Sequence, residues 1–188
     1  MLSEWRKFKG WVILEFFLSN PYTKVHIKKL ARELNLSPQT SNRYMRLYEA
    51  EKLLESESIG NLIQFSLNNR RPLVKEWKRL YFNLVLHESN FLDNFVQHNP
   101  STINILLYGS HAAGEYSDKS DIDMLVIAQN KKIDLSAVKN LEIQLNKEVQ
   151  VSVYTIGEWR RLIKKEDPFV KSVLSKHILL FGEILDSK

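Results

Sequence analysis

Between Tyr108 and Val126 the chain sets hydroxyl, glycine and carboxylate in an order suited to holding a phosphate. Gly109-Ser110 follows an apolar run, Ile103 to Tyr108. Gly114 comes next, then Ser120-Asp121-Ile122-Asp123, then a second apolar run, Met124 to Ala128. In an extended strand residues i and i+2 point to the same face, so Asp121 and Asp123 converge on one spot. Paired carboxylates suit a small hard cation such as Mg²⁺, whose shell is ordinarily completed by substrate phosphate oxygens. Ser110, at the turn opposite, carries a hydroxyl and a backbone N–H. The spacing therefore predicts a cation and nucleotide-phosphate site at the ends of two neighbouring strands. For two acids taken alone, a solvated strand entrance is the alternative.

These residues resemble the signature of the nucleotidyltransferase superfamily that includes DNA polymerase beta, closest to its small archaeal and bacterial minimal members. That signature reads Gly-Ser, a spacer with a Gly, then Ser-Asp-Ile-Asp and an apolar strand. Gly109, Ser110, Gly114, Ser120, Asp121, Ile122 and Asp123 match it in turn, within a region running from Ser101 to Lys188. The resemblance implies that Asp121 and Asp123 are the catalytic pair and ligate Mg²⁺ (or Mn²⁺). It implies that Gly109, Ser110 and Ser120 line a nucleotide, Gly109 by leaving room where a side chain would block it, and Ser120 by bracing the acidic strand. The implied reaction moves a nucleoside monophosphate from a nucleoside triphosphate to an acceptor, releasing pyrophosphate. The segment after Ser110 is expected to begin a helix, whose free N–H groups favour an anion.

The pattern departs from the family in one respect. The resemblance implies a third carboxylate on a neighbouring strand, as base or second-metal ligand. The matching strand, Val149 to Tyr154, has Gln150 and Ser152 at the candidate positions. Glu148 shares their parity but lies about 7 Å back along the strand from Gln150. Glu142 and Asp134, on or near the preceding helix, are weaker candidates. With two acids alone, metal and nucleotide binding remain expected, and a one-metal or catalytically inert site is the alternative to transfer. His111 either touches a phosphate or a substrate hydroxyl, or lies on a helix surface. His26, His87, His98 and His177 have no paired spacing, which argues against zinc.

The elements that must position this site read as α+β. Leu135 to Leu145 is an expected helix, Val149 to Tyr154 a strand, Ile156 to Lys164 and Phe169 to Ser175 helices, and Ile178 to Gly182 a last strand. Together they make a mixed sheet with helices over residues 101–188. Residues 71–100 are expected to form a linker helix, its amphipathic stretch running from Leu73 to about Gln97. It either joins the domains or forms a dimer interface.

Residues 1–70 read as a separate domain. Leu2 to Leu18 is an expected helix burying Trp5, Phe8, Val12 and Phe16, ended by Asn20-Pro21. Lys24 to Leu34 is a second, and Pro38 to Leu53 a third, with Ser37 as N-cap and Pro38 at the first helical position. Leu54 to Ser58 and Leu62 to Leu67 flank a Gly60-Asn61 turn, a hairpin. Three helices and a hairpin in that order resemble a winged helix-turn-helix domain. The resemblance implies that the third helix reads duplex DNA through Gln39, Thr40, Ser41, Asn42, Arg43 and Arg46, with Gly60-Asn61 as the wing. A dimerisation or substrate-positioning module of the same shape is the alternative.

Charge agrees with this division. Residues 1–100 hold 15 Lys/Arg and 10 Asp/Glu, whereas residues 101–188 hold 12 of each, so the net charge of +5 lies wholly in the first part. That asymmetry points to a polyanion-facing module. The chain has no cysteine, which excludes disulfide and thiolate-metal chemistry. No apolar run reaches bilayer length and no secretory h-region is seen, so the chain reads as cytoplasmic with no membrane partner. Three functional readings follow: a transferase with a target-positioning domain, a DNA-binding transcriptional regulator with a degenerate catalytic domain, and an antitoxin-like protein that acts with a partner. A homodimer or partner protein is compatible with each.

Overall fold

Phe8 splits the first expected helix. The structure, a computed structural model, describes residues 2–183. It shows α1 at Leu2–Trp5, an extended Phe8, and α2 at Lys9–Ser19. Phe8 turns its ring over Gly10 and against the edge of Tyr44, with ring centroids 5.5 Å apart. The break shifts the helical phase. Trp5 and Phe8, expected inside, are exposed, whereas Ile13, Leu14, Phe17 and Leu18 form the buried face.

A two-residue strand, β1 (Val25–His26), precedes α3 (Ile27–Glu33). The His26 ring caps α3 by accepting from Lys29 N at 3.2 Å. Asn35, at φ 52, ends the turn that follows. In α4 (Pro38–Ala50) the Ser37 hydroxyl accepts from Thr40 N at 3.1 Å, as its sequence predicts. β2 (Leu54–Ile59) and β3 (Leu62–Leu67) pair antiparallel around Gly60-Asn61, and β1 adds to β3, giving the order β1-β3-β2.

The long helix expected from Leu73 to Gln97 is two helices, α5 (Pro72–Glu88) and α6 (Phe91–His98). Asn90 sits in the left-handed region at φ 53. The Ser89 hydroxyl donates to Leu86 O at 2.7 Å and accepts from Phe91 N at 3.2 Å. These local side-chain bonds compete with the helical ladder and stop it.

The remaining elements are β4 (Thr102–Tyr108), α7 (Gly109–Ala113), β5 (Ile122–Ala128), α8 (Ser136–Leu145), β6 (Val149–Thr155), α9 (Ile156–Lys164), α10 (Pro168–Ser175) and β7 (Ile178–Phe181). The sheet order is β6-β5-β4-β7, with β5 parallel to β6 and β4 antiparallel to both β5 and β7. The expected mixed sheet with helices is present. On one sheet face Leu106, Leu125 and Ile127 pack with Trp159 of α9 and with Val170 and Val173 of α10. A capping box at Thr155 and Glu158 fixes the start of α9 directly after β6.

The chain divides into two compact units. One holds the chain up to Tyr81 together with Gly114–Asp118. The other holds Phe82–Ala113 and the chain from Lys119 onward. Within the first unit Tyr116 is buried and donates its hydroxyl to Leu18 O at 3.0 Å. Lys78, 1% exposed, donates to Tyr116 O at 2.7 Å and to Asn69 Oδ1 at 3.3 Å. Its ammonium also lies 4.5 Å from the centre of the Tyr116 ring and 5.6 Å from that of Tyr22. Burial lowers the Lys78 pKa to about 8. Among the described residues no helix is long and apolar enough to cross a membrane.

Candidate functional site

The register of three strands assembles the site. Tyr108, the last residue of β4, stands opposite Asp123 on β5, and Asp123 stands opposite Gln150 on β6. Directly paired residues share a sheet face, so Tyr108, Asp123 and Gln150 form a row across the sheet at one end. Asp121 lies two residues before Asp123 and joins the same side. Gln150 Nε2 donates to Asp121 Oδ2 at 3.0 Å, a bond that confirms this placement.

Gly109 closes the row from below. Its φ is 67, a conformation that L side chains rarely adopt, and a Cβ there would run into the Asp123 carboxylate. The residue therefore serves two local needs, the left-handed turn out of β4 and the space for Asp123. Ser110 follows in the first turn of α7, partly exposed, and the expected helix is present but only five residues long. Ser120 is partly buried, and its carbonyl accepts from Lys147 Nζ at 3.4 Å. Gly109, Ser110, Ser120, Asp121 and Asp123 all belong to the second unit.

The electrostatics of the pair are uneven. Asp123 is held above the usual carboxylate range, first by burial and then by the negative charge of Asp121. Tyr108 is likewise raised, mainly by burial, and is hydrogen-bonded to Ser152. The Tyr108 ring meets the edge of Phe169 at 5.6 Å, and Phe169 also packs near Tyr154 at 6.2 Å. An aromatic wall thus flanks the acids on the side of α10. The sequence reading missed this wall, although the parity of Tyr108 with the strand end was a usable signal.

Among the described residues no third acid joins the pair. Among the described residues no group of three His, Cys, Asp or Glu side chains could hold a metal ion. Glu142 turns its carboxylate to the backbone of the next strand, accepting from Val149 N at 3.0 Å. Asp134 accepts from Ser136 N at 2.7 Å in its own turn. Glu148 is exposed, and its backbone carbonyl accepts from Ile122 N at 2.9 Å. His111 does not lie on a helix surface, one of the positions expected of it. It is fully buried, with its ring centre 4.3 Å from that of Phe82.

The residues expected to read DNA divide by exposure. Gln39, Asn42, Arg43 and Arg46 are exposed and recur at helical spacing, forming one stripe on α4. Ser41 is fully buried and cannot face a groove, because it lies on the core side with Met45. Thr40 is partly buried and takes part in the Ser37 cap. Arg43 stacks on Tyr44 at 4.7 Å. Arg46 lies 5.0 Å from the centre of the Phe65 ring and donates to Glu49 at 2.8 Å. The hairpin beside this stripe is acidic: Glu57 pairs with Lys24 at 2.6 Å and Glu55 with Arg70 at 3.0 Å.

Comparison with known proteins gives a family for the second half of the chain. The family model described as polymerase beta, nucleotidyltransferase matches residues 90–184, half of the chain. The chain belongs to this family. Among solved structures, it is similar to a toxin–antitoxin crystallised with AMP-PNP, at 20% identity and a TM-score of 0.36, covering 50% of this chain and 73% of the other. It is also similar to a candidate nucleotidyltransferase from Sulfolobus solfataricus, at 19% identity and a TM-score of 0.36, covering 58% of this chain and 88% of that one. No curated protein matches the chain. The matched residues run from α6 to β7, so the Gly109-Ser110 turn and both acids lie inside them.

Proposed function

We propose that the protein binds a nucleoside triphosphate together with Mg²⁺ or Mn²⁺ at Asp121 and Asp123, and transfers a nucleoside monophosphate to an acceptor. The observation that carries this reading is the Asp123 carboxylate seated over Gly109, with Asp121 beside it and Ser110 one residue on. The donor set fits a hard divalent ion. Two carboxylates converge at a sheet end, and burial, with the charge of Asp121 added to it, raises Asp123, a cost that a bound cation would relieve. The ion, when bound, would neutralise phosphate charge during in-line displacement.

The chain's own residues supply the rest. Gly109 leaves backbone space in front of Asp123. Ser110 offers its hydroxyl and N–H to a phosphate oxygen, and Ser120 braces the approach to β5. The Tyr108–Phe169 wall gives an apolar flank to whatever lies on the acids. In this reading residues 1–70 act as a winged-helix module, residues 71–100 as a connecting segment and residues 101–188 as the transferase domain, in a cytoplasmic protein.

A second reading, a DNA-binding regulator with a degenerate transferase domain or an antitoxin-like partner protein, is favoured by one observation: Gln150 occupies the position opposite Asp123 where a third acid would stand. The exposed stripe of Gln39, Asn42, Arg43 and Arg46 would then carry duplex binding, with affinity falling steeply as salt rises. Calorimetric titration of the four nucleoside triphosphates separates the readings. Metal-dependent binding that vanishes in the Asp121→Asn/Asp123→Asn double variant supports the transferase site. Absence of binding by the wild type sinks it and turns attention to α4.

A further inference from the structure

Gln150 does more than leave a gap. It sits in register with Asp123 yet reaches diagonally to Asp121, presenting an N–H to Oδ2 at 3.0 Å. The amide must point this way, because its carbonyl oxygen against a carboxylate oxygen would be two acceptors in contact. The side of the row nearest β6 therefore shows a positive N–H dipole rather than a third negative oxygen. The Glu142 carboxylate is committed elsewhere, to Val149 N, and Asp134 lies at the opposite end of the sheet, where its backbone bonds to Asn99 ahead of β4.

We propose that Gln150 makes this a one-cation site by occupying the flank where a second metal ion would need a carboxylate. The inference rests on the nucleotide-site reading above and specifies its metal content. Two carboxylates balance the charge of one divalent ion. A second ion, about 3.5–4 Å from the first in two-metal sites, requires further anionic oxygens from the protein or substrate. Gln150 also holds Asp121 in place, so it is a positioning residue: it fixes the orientation of the ligand's free oxygen without itself touching the metal.

The test counts Mn²⁺ bound per chain by electron paramagnetic resonance, with the metal alone as the probe. Wild type should bind one ion. Gln150→Ala should still bind one, roughly tenfold more weakly, because its positioning bond is lost. Gln150→Asp should bind a second ion, with the spectral broadening of two coupled Mn²⁺ centres. Two ions in the wild type, or unchanged single-ion binding in both variants, overturns the inference. If Gln150→Asp does not fold, the wild-type count and the Gln150→Ala affinity decide. No Mn²⁺ on a wild type that still binds triphosphate also overturns it alone. No Mn²⁺ and no triphosphate removes the nucleotide-site reading as well.

Discussion

Lys78 in the first unit and Asp123 in the second are both ionisable groups shifted by burial, and their surroundings differ in kind. Lys78 is met on all sides by this chain: two acceptors within 3.3 Å and two tyrosine rings. Asp123 is met by a like charge, Asp121, and by the bare backbone of Gly109. A buried ion with its own partners belongs to the architecture. A partly buried ion facing a like charge is in a place prepared for something else. The same contrast holds for two glycines in left-handed conformation. A Cβ on Gly114 would meet the Lys75 backbone, its carbonyl carbon at 2.8 Å, whereas one on Gly109 would meet a side chain that can rotate.

The largest expected effect tests the architectural side. Gly114→Ala should destabilise the protein by about 3 kcal/mol or more, from left-handed strain plus backbone overlap. Gly109→Ala should cost only about 1–2 kcal/mol, yet abolish metal-dependent nucleotide binding by displacing Asp123. Thermal melts alongside calorimetry check both. Equal stability losses would erase the distinction.

Lys78→Ala comes next, at about 2–4 kcal/mol, because it opens a cavity and strips a donor from the Tyr116 carbonyl. Lys78→Met keeps most of the volume and should cost less. Wild-type stability should also depend on pH in a signed way. The folded ammonium titrates at about 8 and the unfolded one at about 10.4, so the unfolded chain binds more protons in that window. Stability therefore rises with pH from about 8 toward 10, by up to about 3 kcal/mol, and the rise should vanish in Lys78→Met. Above about pH 10 the curve should turn down. There tyrosines ionise in the unfolded chain, while Tyr48, pushed up to about 12, and Tyr116, also raised, stay neutral in the fold. Denaturant melts from pH 7.5 to 10.5 follow both arms.

The smallest effect is the most diagnostic. Asp123→Asn should leave stability unchanged or raise it by less than about 1 kcal/mol at pH 7, since it removes a carboxylate held above its ordinary range. The same variant should lose Mg²⁺-dependent nucleotide binding. A clear drop in melting temperature would mean that Asp123 is a structural acid like Lys78 is a structural base, and the comparison would collapse.

Much of the site was legible from local rules. Strand parity alone places Asp121 and Asp123 together, and Gly109 at the end of an apolar run implies the turn it makes. The mixed sheet, the Ser37 cap and the Gly60-Asn61 hairpin also follow from local pattern. The helical period failed at Phe8, where backbone turn bonds end α1 and Phe8 itself is extended, and at Ser89-Asn90, where the Ser89 hydroxyl bonds to the backbone, because a hydrophobic period continues in the sequence across a break that a few local bonds create. It failed for Ser41 and His111 because polarity predicts exposure only until packing turns a residue inward.

The amino-acid order by itself determined which chemistry this chain can attempt: two acids two residues apart, a Gly-Ser turn before them, and no third acid at the matching strand positions. Those are properties of spacing along the backbone, and an extended strand converts spacing directly into geometry. Only the tertiary structure decided that Gln150 lies across from Asp123 and bonds to Asp121, that Tyr108 and Phe169 wall the site, and that Lys78 is sealed against Tyr116. Each of these joins residues 27 to 61 positions apart in the chain, and the strand register and side-chain packing that bring them together are settled by the free energy of the whole fold rather than by any local pattern.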